Sequence, residues 1–451
     1  MDPSTKLLSA TAPVRTDGLD PAALLAYFQN IWDLNERLFA AIEKEGARFV
    51  NPDPLRHPLI FYHGHTAAFY INKLVMAGLL DESDRIDPAL ERLFAQGVDP
   101  ARAEELGAEA WPTEQATQAY RDQAYRLLVD FIQALAPGTV VHPAHPLWSL
   151  YMGLEHDRIH FETSSVLIRQ YPADWLRRPE GWTYAPSDVP APENAWLAVP
   201  AAEVKLGKPD DFPTFGWDDE YGHRAVSVPA FEATQNLITN AEFMAFLEAG
   251  GYENPAYWTE DGWAWRSQFE VAHPKFWVKT PDGFRYRAMF DELDMPAAWP
   301  VEVNWYEAAA YCRWYGQGAR LLSEAEFQAL AQWALHTPFD LPFADHYNLN
   351  VKFGSPTPVG MLPEAGSTLG FNDIWGNVWC WLSDDFYSLD GYRPHPYYLD
   401  FSEPYMDADH AMLLGGSWAT TGTGASRYYR LWFRRHFYQH AGFRMARNLP
   451  A

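Results

Sequence analysis

The chain has 451 residues, with 59 acidic side chains against 34 basic ones and a formal net charge of −25. Nucleic acid backbones and acidic membrane surfaces are polyanions, so such a charge argues against both as partners, and it identifies no substrate. Hydrophobic residues make up 48% and aromatics 16% of the chain, which is ample for one or two packed cores and rules out a disordered protein, while the length predicts two or three domains. Two cysteines, Cys312 and Cys380, are too few for a disulfide framework or a thiolate zinc cluster. The stretch MDPSTKLLSATAPVRTDG has no apolar core of the signal-peptide kind, and no later run reaches the roughly 18 apolar residues of a membrane span. A cytoplasmic location is expected.

The first part of the chain reads as helices. Asp20 as N-cap and Pro21 at the first helical position precede Leu24, Phe28, Ile31, Leu34, Leu38 and Ile42, which recur at three- and four-residue steps and mark one apolar face. A second helix is predicted over 58–80, a third over 116–135, and a fourth over 146–170, where Tyr171-Pro172 stops it. Four amphipathic helices pack most simply as a four-helix bundle. Beyond Pro172 the sequence turns to Pro, Ala, Trp and short polar runs that cannot sustain a helix. The division expected is therefore a bundle over 1–175, a Pro-rich linker over 176–212 and a loop-rich α+β domain over 213–451. That domain should hold short strands, glycine turns and helices near 240–249 and 305–315.

Chemistry concentrates in Glu155-His156-Asp157-Arg158-Ile159-His160-Phe161-Glu162. Residues four apart on a helix lie one turn above each other, so His156 and His160 project from one face and can share a metal. Glu162 lies about 200° round from His160 and is expected at most to orient an imidazole on another helix. A third ligand is needed, and the second helix offers His63 and His65, which face nearly opposite ways so that one of them at most can join. Three imidazoles with open positions suit catalytic zinc as readily as ferrous iron.

Two longer stretches carry a resemblance. Asp53-Pro54-Leu55-Arg56-His57-Pro58-Leu59-Ile60-Phe61-Tyr62, then Gly64-His65-Thr66 and Ile71-Asn72-Lys73, resemble the helical, DinB-like half of ovothiol-pathway sulfoxide synthases, as do Gly153 to His156 and Thr163 to Gln170. Downstream, Pro300 to Trp305, Arg320 to Glu326, Gly376-Asn377-Val378-Trp379, Gly415-Gly416-Ser417-Trp418 and Gly442-Phe443-Arg444 resemble the formylglycine-generating, C-type-lectin-like module. The chain is thus identified as a member of the ergothioneine/ovothiol non-heme iron sulfoxide synthase family, with the α+β fold of bundle plus module that this implies.

The resemblance implies Fe(II) held by His65, His156 and His160, O2 as co-substrate, and coupling of a thiol sulfur to an imidazole carbon as a sulfoxide. It assigns the proton-donor role to Tyr398 in His395-Pro396-Tyr397-Tyr398-Leu399-Asp400, with Tyr397 as the neighbouring candidate. An amino-acid substrate needs a cation for its carboxylate, and guanidinium grips that group with paired hydrogen bonds. Arg430, Arg434 and Arg435 are the candidates, with Asn377, Trp379, Trp418 and Cys380 as further substrate-site residues. Two departures from the family pattern stand out: Cys380 replaces the usual Gln or Glu after Gly-Asn-Val-Trp, and Leu322-Ser323 replaces the usual Pro-Thr.

The expected activity is 5-histidylcysteine sulfoxide synthesis from L-histidine, L-cysteine and O2. A seleno-donor variant and an ergothioneine- or selenoneine-type enzyme acting on trimethylated histidine are the near alternatives. A zinc-dependent thiol transferase or hydrolase is the reading from another class. Formylglycine generation is disfavoured because no cysteine follows Gly415-Gly416-Ser417-Trp418. With the chain ending at Ala451, the methyltransferase domain fused to many ovothiol synthases is expected to be absent, its step falling to a separate downstream enzyme.

Overall fold

The structure is a computed structural model that describes residues 12–95, 110–336 and 346–449. It divides into two compact units. The first comprises Met1–Gly181 with Pro213–Phe215 and His395–Tyr397, and the second comprises Trp182–Phe212, Gly216–Pro394 and Tyr398–Ala451.

The first unit is built from α1 (Pro21–Ala40), α2 (Leu59–Met76), a short α3 (Pro88–Leu93), α4 (Glu114–Gln133) and α5 (Trp148–Arg169). The start of α1 is the predicted one: the Asp20 side chain accepts from Ala22 N at 3.0 Å, and Pro21 occupies the first turn. Helix α2 ends four residues before the expected Leu80. Gly78 takes φ +70° there, and Leu79 N bonds back to Leu74 O, a glycine-dependent C-terminal cap. Thr113 caps α4 through Ala116 N, which starts it at Glu114. Both α1 and α2 pack against α4 and α5, so the four long helices close a ring round one core.

Helix α5 is buried on nearly every side although it carries Glu155, Asp157, Arg158 and Arg169. Buried charge is tolerable only with partners. Tyr27 Oη donates to Glu155 at 2.7 Å, Asn35 Nδ2 donates to Asp157 Oδ1 at 2.8 Å, and the Arg158 guanidinium lies 3.6 Å over the Tyr27 ring while donating to Tyr27 O. On the other side α5 meets α2 closely, because Gly153 has no side chain where a Cβ would stand 2.4 Å from Tyr70 Cδ1.

The second unit has helices α6 (Asn240–Glu248), α7 (Glu260–Gln268), α8 (Trp305–Tyr315) and α9 (Glu324–Ala331). Its strands are β1 (Trp196–Val199), β2 (Ala202–Leu206), β3 (Arg224–Val228), β4 (Phe231–Thr234), β5 (Trp277–Thr280), β6 (Gly283–Arg287), β7 (Glu292–Asp294), β8 (Arg320–Leu321), β9 (Trp379–Asp385), β10 (His410–Leu414), β11 (Leu431–Arg434), β12 (Ala441–Gly442) and β13 (Met445–Asn448). They form sheets ordered β1-β4-β13-β8 and β11-β10-β9-β12, a β2-β3 hairpin and a β5-β6-β7 meander. Val199, Ala233, Leu330, Phe371, Leu382 and Met412 are among the residues of its main core.

The expected linker over 176–212 needs correction. It contains β1 and β2, and β1 pairs with β4 from Trp196↔Thr234 to Val199↔Phe231. The alternation of Ala202-Glu203-Val204-Lys205-Leu206, with Val204 and Leu206 buried, is a half-buried strand pattern that the surrounding prolines obscure. Helices α7 and α9 lie outside the predicted ones. The start of α9 is marked by Ser323 and Glu326, whose side chains cap each other's backbone amides.

Gly153→Ala should lower the stability of the first unit by about 1–3 kcal/mol, the usual cost of forcing extra volume into a packed seam. Denaturant unfolding measures it, and an unchanged midpoint would mean that α2 and α5 have room to part.

Candidate metal centre

Helices α2 and α5 bring three imidazoles together in the buried interior of the first unit. His65 Nε2 is 3.3 Å from His156 Nε2, and His160 Nε2 is 3.1 Å from His156 Nε2. The ligand atoms of all three lie within 4.8 Å of one another, and each residue is 5% exposed or less. Spacings of 3.1 and 3.3 Å suit neighbouring ligand atoms each about 2.1 Å from a common ion.

The i, i+4 spacing on α5 supplies His156 and His160, and α2 supplies His65. His65 Nδ1 lies 2.5 Å from the carbonyl oxygen of Phe94, just past α3, so that nitrogen carries the proton and Nε2 keeps its lone pair. The Phe94 ring fills the space over Gly64, where a Cβ would stand 2.2 Å from it. Phe61 stacks on His65 at 4.9 Å, and Phe69 lies face to face on His156 at 3.5 Å with 7° between the planes. These rings hold the imidazoles' orientation and keep water from their faces.

Burial is the main cause of the electrostatics here. It lowers the His65 pKa to about 4 and sets His156 and His160 well below the ordinary imidazole value, with the neighbouring imidazoles adding to the effect. The rings are therefore neutral at physiological pH, the state a metal ligand requires. Three neutral nitrogens converging without a carboxylate fit Fe(II) or Zn(II).

His63 points the other way. It stacks on Phe39 at 4.5 Å and places Nε2 3.8 Å from Glu36 Oε1, and burial lowers its pKa to about 3. Glu162 is buried on α5, but the group that orients an imidazole on the other ligand helix is the Phe94 carbonyl, which no side-chain pattern announces.

The remaining candidates fall into different settings. Tyr397 belongs to the first unit, where its carbonyl accepts from Lys73 Nζ at 2.5 Å. Tyr398 belongs to the second unit, half-buried with its ring 5.3 Å from Phe401 and 6.4 Å from Trp217; burial raises its hydroxyl pKa, so it keeps its proton. Trp379 and Trp418 are both buried, Trp379 5.9 Å from Tyr429 and Trp418 4.6 Å from the His440 ring.

Three substrate-site assignments meet the core instead. Arg430 is buried and held by Glu324 at 2.8 Å, by Asp219 O at 3.1 Å and by Tyr387 O at 2.9 Å, so its guanidinium is committed to the fold. Asn377, at φ +69°, accepts from Thr357 N and donates to Thr357 O, bracing a turn. Cys380 lies buried on β9, and burial pushes its thiol up to about 11, which makes it a small apolar core residue rather than a reactive group. Arg434 and Arg435 pair with Asp409 and Asp385 respectively, so a substrate carboxylate would have to displace one of these acids.

His160→Ala should remove stoichiometric iron, whereas His63→Ala should keep it; metal analysis per folded chain checks both, and retained iron in the first would sink the ligand assignment. Because folding depresses these imidazole pKa values, their contribution to stability is present above about 6.5, where the unfolded chain is also neutral, and is lost as pH falls toward 4. Melting of the chelator-treated protein should therefore fall from about pH 7 to about pH 5 more steeply than melting of His160→Leu.

Comparison with known proteins bears on the whole chain. The hercynine oxygenase of Mycolicibacterium thermoresistibile is 29% identical over 410 residues, which cover 87% of this chain and 88% of that protein. The hercynine oxygenase of Mycobacterium tuberculosis is 33% identical over 51% of this chain and 55% of its own length. Ergothioneine biosynthesis protein 1 of Schizosaccharomyces pombe is 24% identical over 87% of this chain and 51% of its own length. The profile of the sulfatase-modifying factor enzyme 1-like domain matches residues 184–449. That match takes in more than half of the chain, and on this ground the chain belongs to the sulfatase-modifying factor enzyme 1-like domain family.

Proposed function

We propose that this chain is a non-heme iron, O2-dependent sulfoxide synthase that joins a thiol sulfur to an imidazole carbon of a histidine-type amino acid. The observation that carries this reading is the convergence of three buried, neutral imidazole nitrogens from α2 and α5. That the chain is an oxidoreductase follows from its relatives named hercynine oxygenase, aligned over 87% and 85% of its length. A zinc-dependent transferase accounts for the three histidines but leaves the matched second domain without a role.

In this proposal the helical unit is a DinB-like bundle whose His65, His156 and His160 hold Fe(II). The iron, when bound, supplies O2 activation and the redox capacity for C–S coupling. The protein's own contribution is positional. Phe94 O fixes the protonated nitrogen of His65, Phe61 and Phe69 shield the ring faces, and Tyr398, which keeps its hydroxyl proton, is the group we assign as donor.

For the acceptor, the name hercynine oxygenase carried by relatives aligned over most of the chain supports a trimethylated histidine and an ergothioneine-type activity. Unmodified L-histidine with L-cysteine is the second reading, favoured by the stretches 53–73 and 153–170, and a seleno-donor in place of the thiol is its variant.

Aerobic incubation of the Fe(II)-loaded protein with histidine or trimethylhistidine, each crossed with cysteine, glutamylcysteine and a selenosugar, should give one coupled product by mass spectrometry. Absence of every adduct from iron-replete protein would overturn the proposal. Tyr398→Phe should retain iron while shifting products from coupling toward simple thiol oxidation; an unchanged ratio would move the donor role elsewhere.

A further inference from the structure

Apart from the three histidines of the first unit, one other group of metal-competent side chains stands together among the described residues. A ring nitrogen of His336, one of His346 and a carboxylate oxygen of Glu364 lie within 4.8 Å of one another in the second unit. His336 Nε2 is 2.7 Å from Glu364 Oε2, and the His346 ring stacks on that of His336 with centroids 4.0 Å apart and 9° between the planes.

The backbone fixes where these side chains start. Leu335 N donates to Gly366 O and Thr368 N to Trp333 O, each at 2.9 Å, and Ala334 forms an antiparallel bridge with Ser367. His336 and Glu364 therefore stand on two segments tied directly together, Glu364 within a 3-10 turn (Pro363–Ala365) whose Ala365 is buried. His346 immediately precedes the fully buried Tyr347. Three chelating groups held on anchored backbone lose less freedom on binding an ion than three groups on free arms would.

We propose that His336, His346 and Glu364 form a second metal site, selective for a borderline divalent transition ion of the Zn(II) class. Two imidazoles and one carboxylate offer nitrogen donors that Ca(II) and Mg(II), which take oxygen ligands, use poorly. The site differs from the first in both ligand set and access: it includes an acid, and none of its members is buried. Parallel stacked rings cannot aim both lone pairs at one point, so binding turns one imidazole out of the stack. Ring stacking is a weak contact, and a metal–nitrogen bond outweighs it.

The test is calorimetric titration of Zn(II) into chelator-stripped wild type, His336→Ala and His346→Ala, with chelator-phase melts to verify that each variant is folded. Wild type should take up one more equivalent of Zn(II) than each variant, and both variants should still bind iron after Fe(II) loading, since the His65 group is untouched. Variants that bind as many ions as wild type, whatever that number is, would overturn the second site. Co(II) gives an independent reading: the difference spectrum between wild type and His336→Ala should show ligand-field bands, and a flat difference would count against the proposal.

Discussion

The constraint on which the helical unit depends is the close approach of α2 to α5. Three imidazole nitrogens come within a coordination radius of one point while their rings stay buried. Such closeness is possible because Gly153 on α5 leaves space for Tyr70 of α2 at the seam, while Gly64, also on α2, leaves space for the Phe94 ring beside His65. A ligand pair one helical turn apart is easy to encode in sequence. Holding the third ligand against it takes two positions at which no side chain is allowed.

Burial that suits the metal site burdens the rest of α5. A helix with almost no exposed face cannot turn its charged residues to solvent, and here Glu155, Asp157 and Arg158 alternate with the ligand histidines. The structure answers with partners on α1: Tyr27 and Asn35 satisfy the acids, and the Tyr27 ring and carbonyl take up the guanidinium. Burial still pushes Asp157 up to about 6, so its partners offset only part of the desolvation. Helix α1, which contributes no ligand, is thereby tied to the orientation of the helix that contributes two.

Much of this could be read before any coordinates. The stripe from Leu24 to Leu38 and the Asp20-Pro21 start identified α1, and four-residue spacing paired His156 with His160, because helical periodicity is a local property. The choice of His65 over His63 came from resemblance; the geometry gives its physical counterpart, since His63 turns toward Glu36 and Phe39. What stayed hidden depends on distant partners. The Phe94 carbonyl is a backbone atom with no side-chain signature, and the commitment of Arg430 rests on Glu324, more than a hundred positions away in the chain. Cys380 was placed among the substrate-site residues because it adjoins a motif, and sequence shows adjacency and not enclosure. Strands β1 and β2 were masked by flanking prolines, whose breaking effect stops short of Trp196.

Phe94 has two attachments to α2: its ring rests where residue 64 lacks a side chain, and its carbonyl accepts a hydrogen bond from His65 Nδ1. Positions 64 and 94 therefore cannot drift separately through evolution. A larger residue at 64 meets the ring whose backbone also carries the carbonyl bound to the imidazole, while a small residue at 94 keeps that carbonyl but leaves a void beside Gly64. Among descendants of this sequence the two sites should change together or not at all, which makes the pair an inherited signature of the centre at a place where no metal ligand is found.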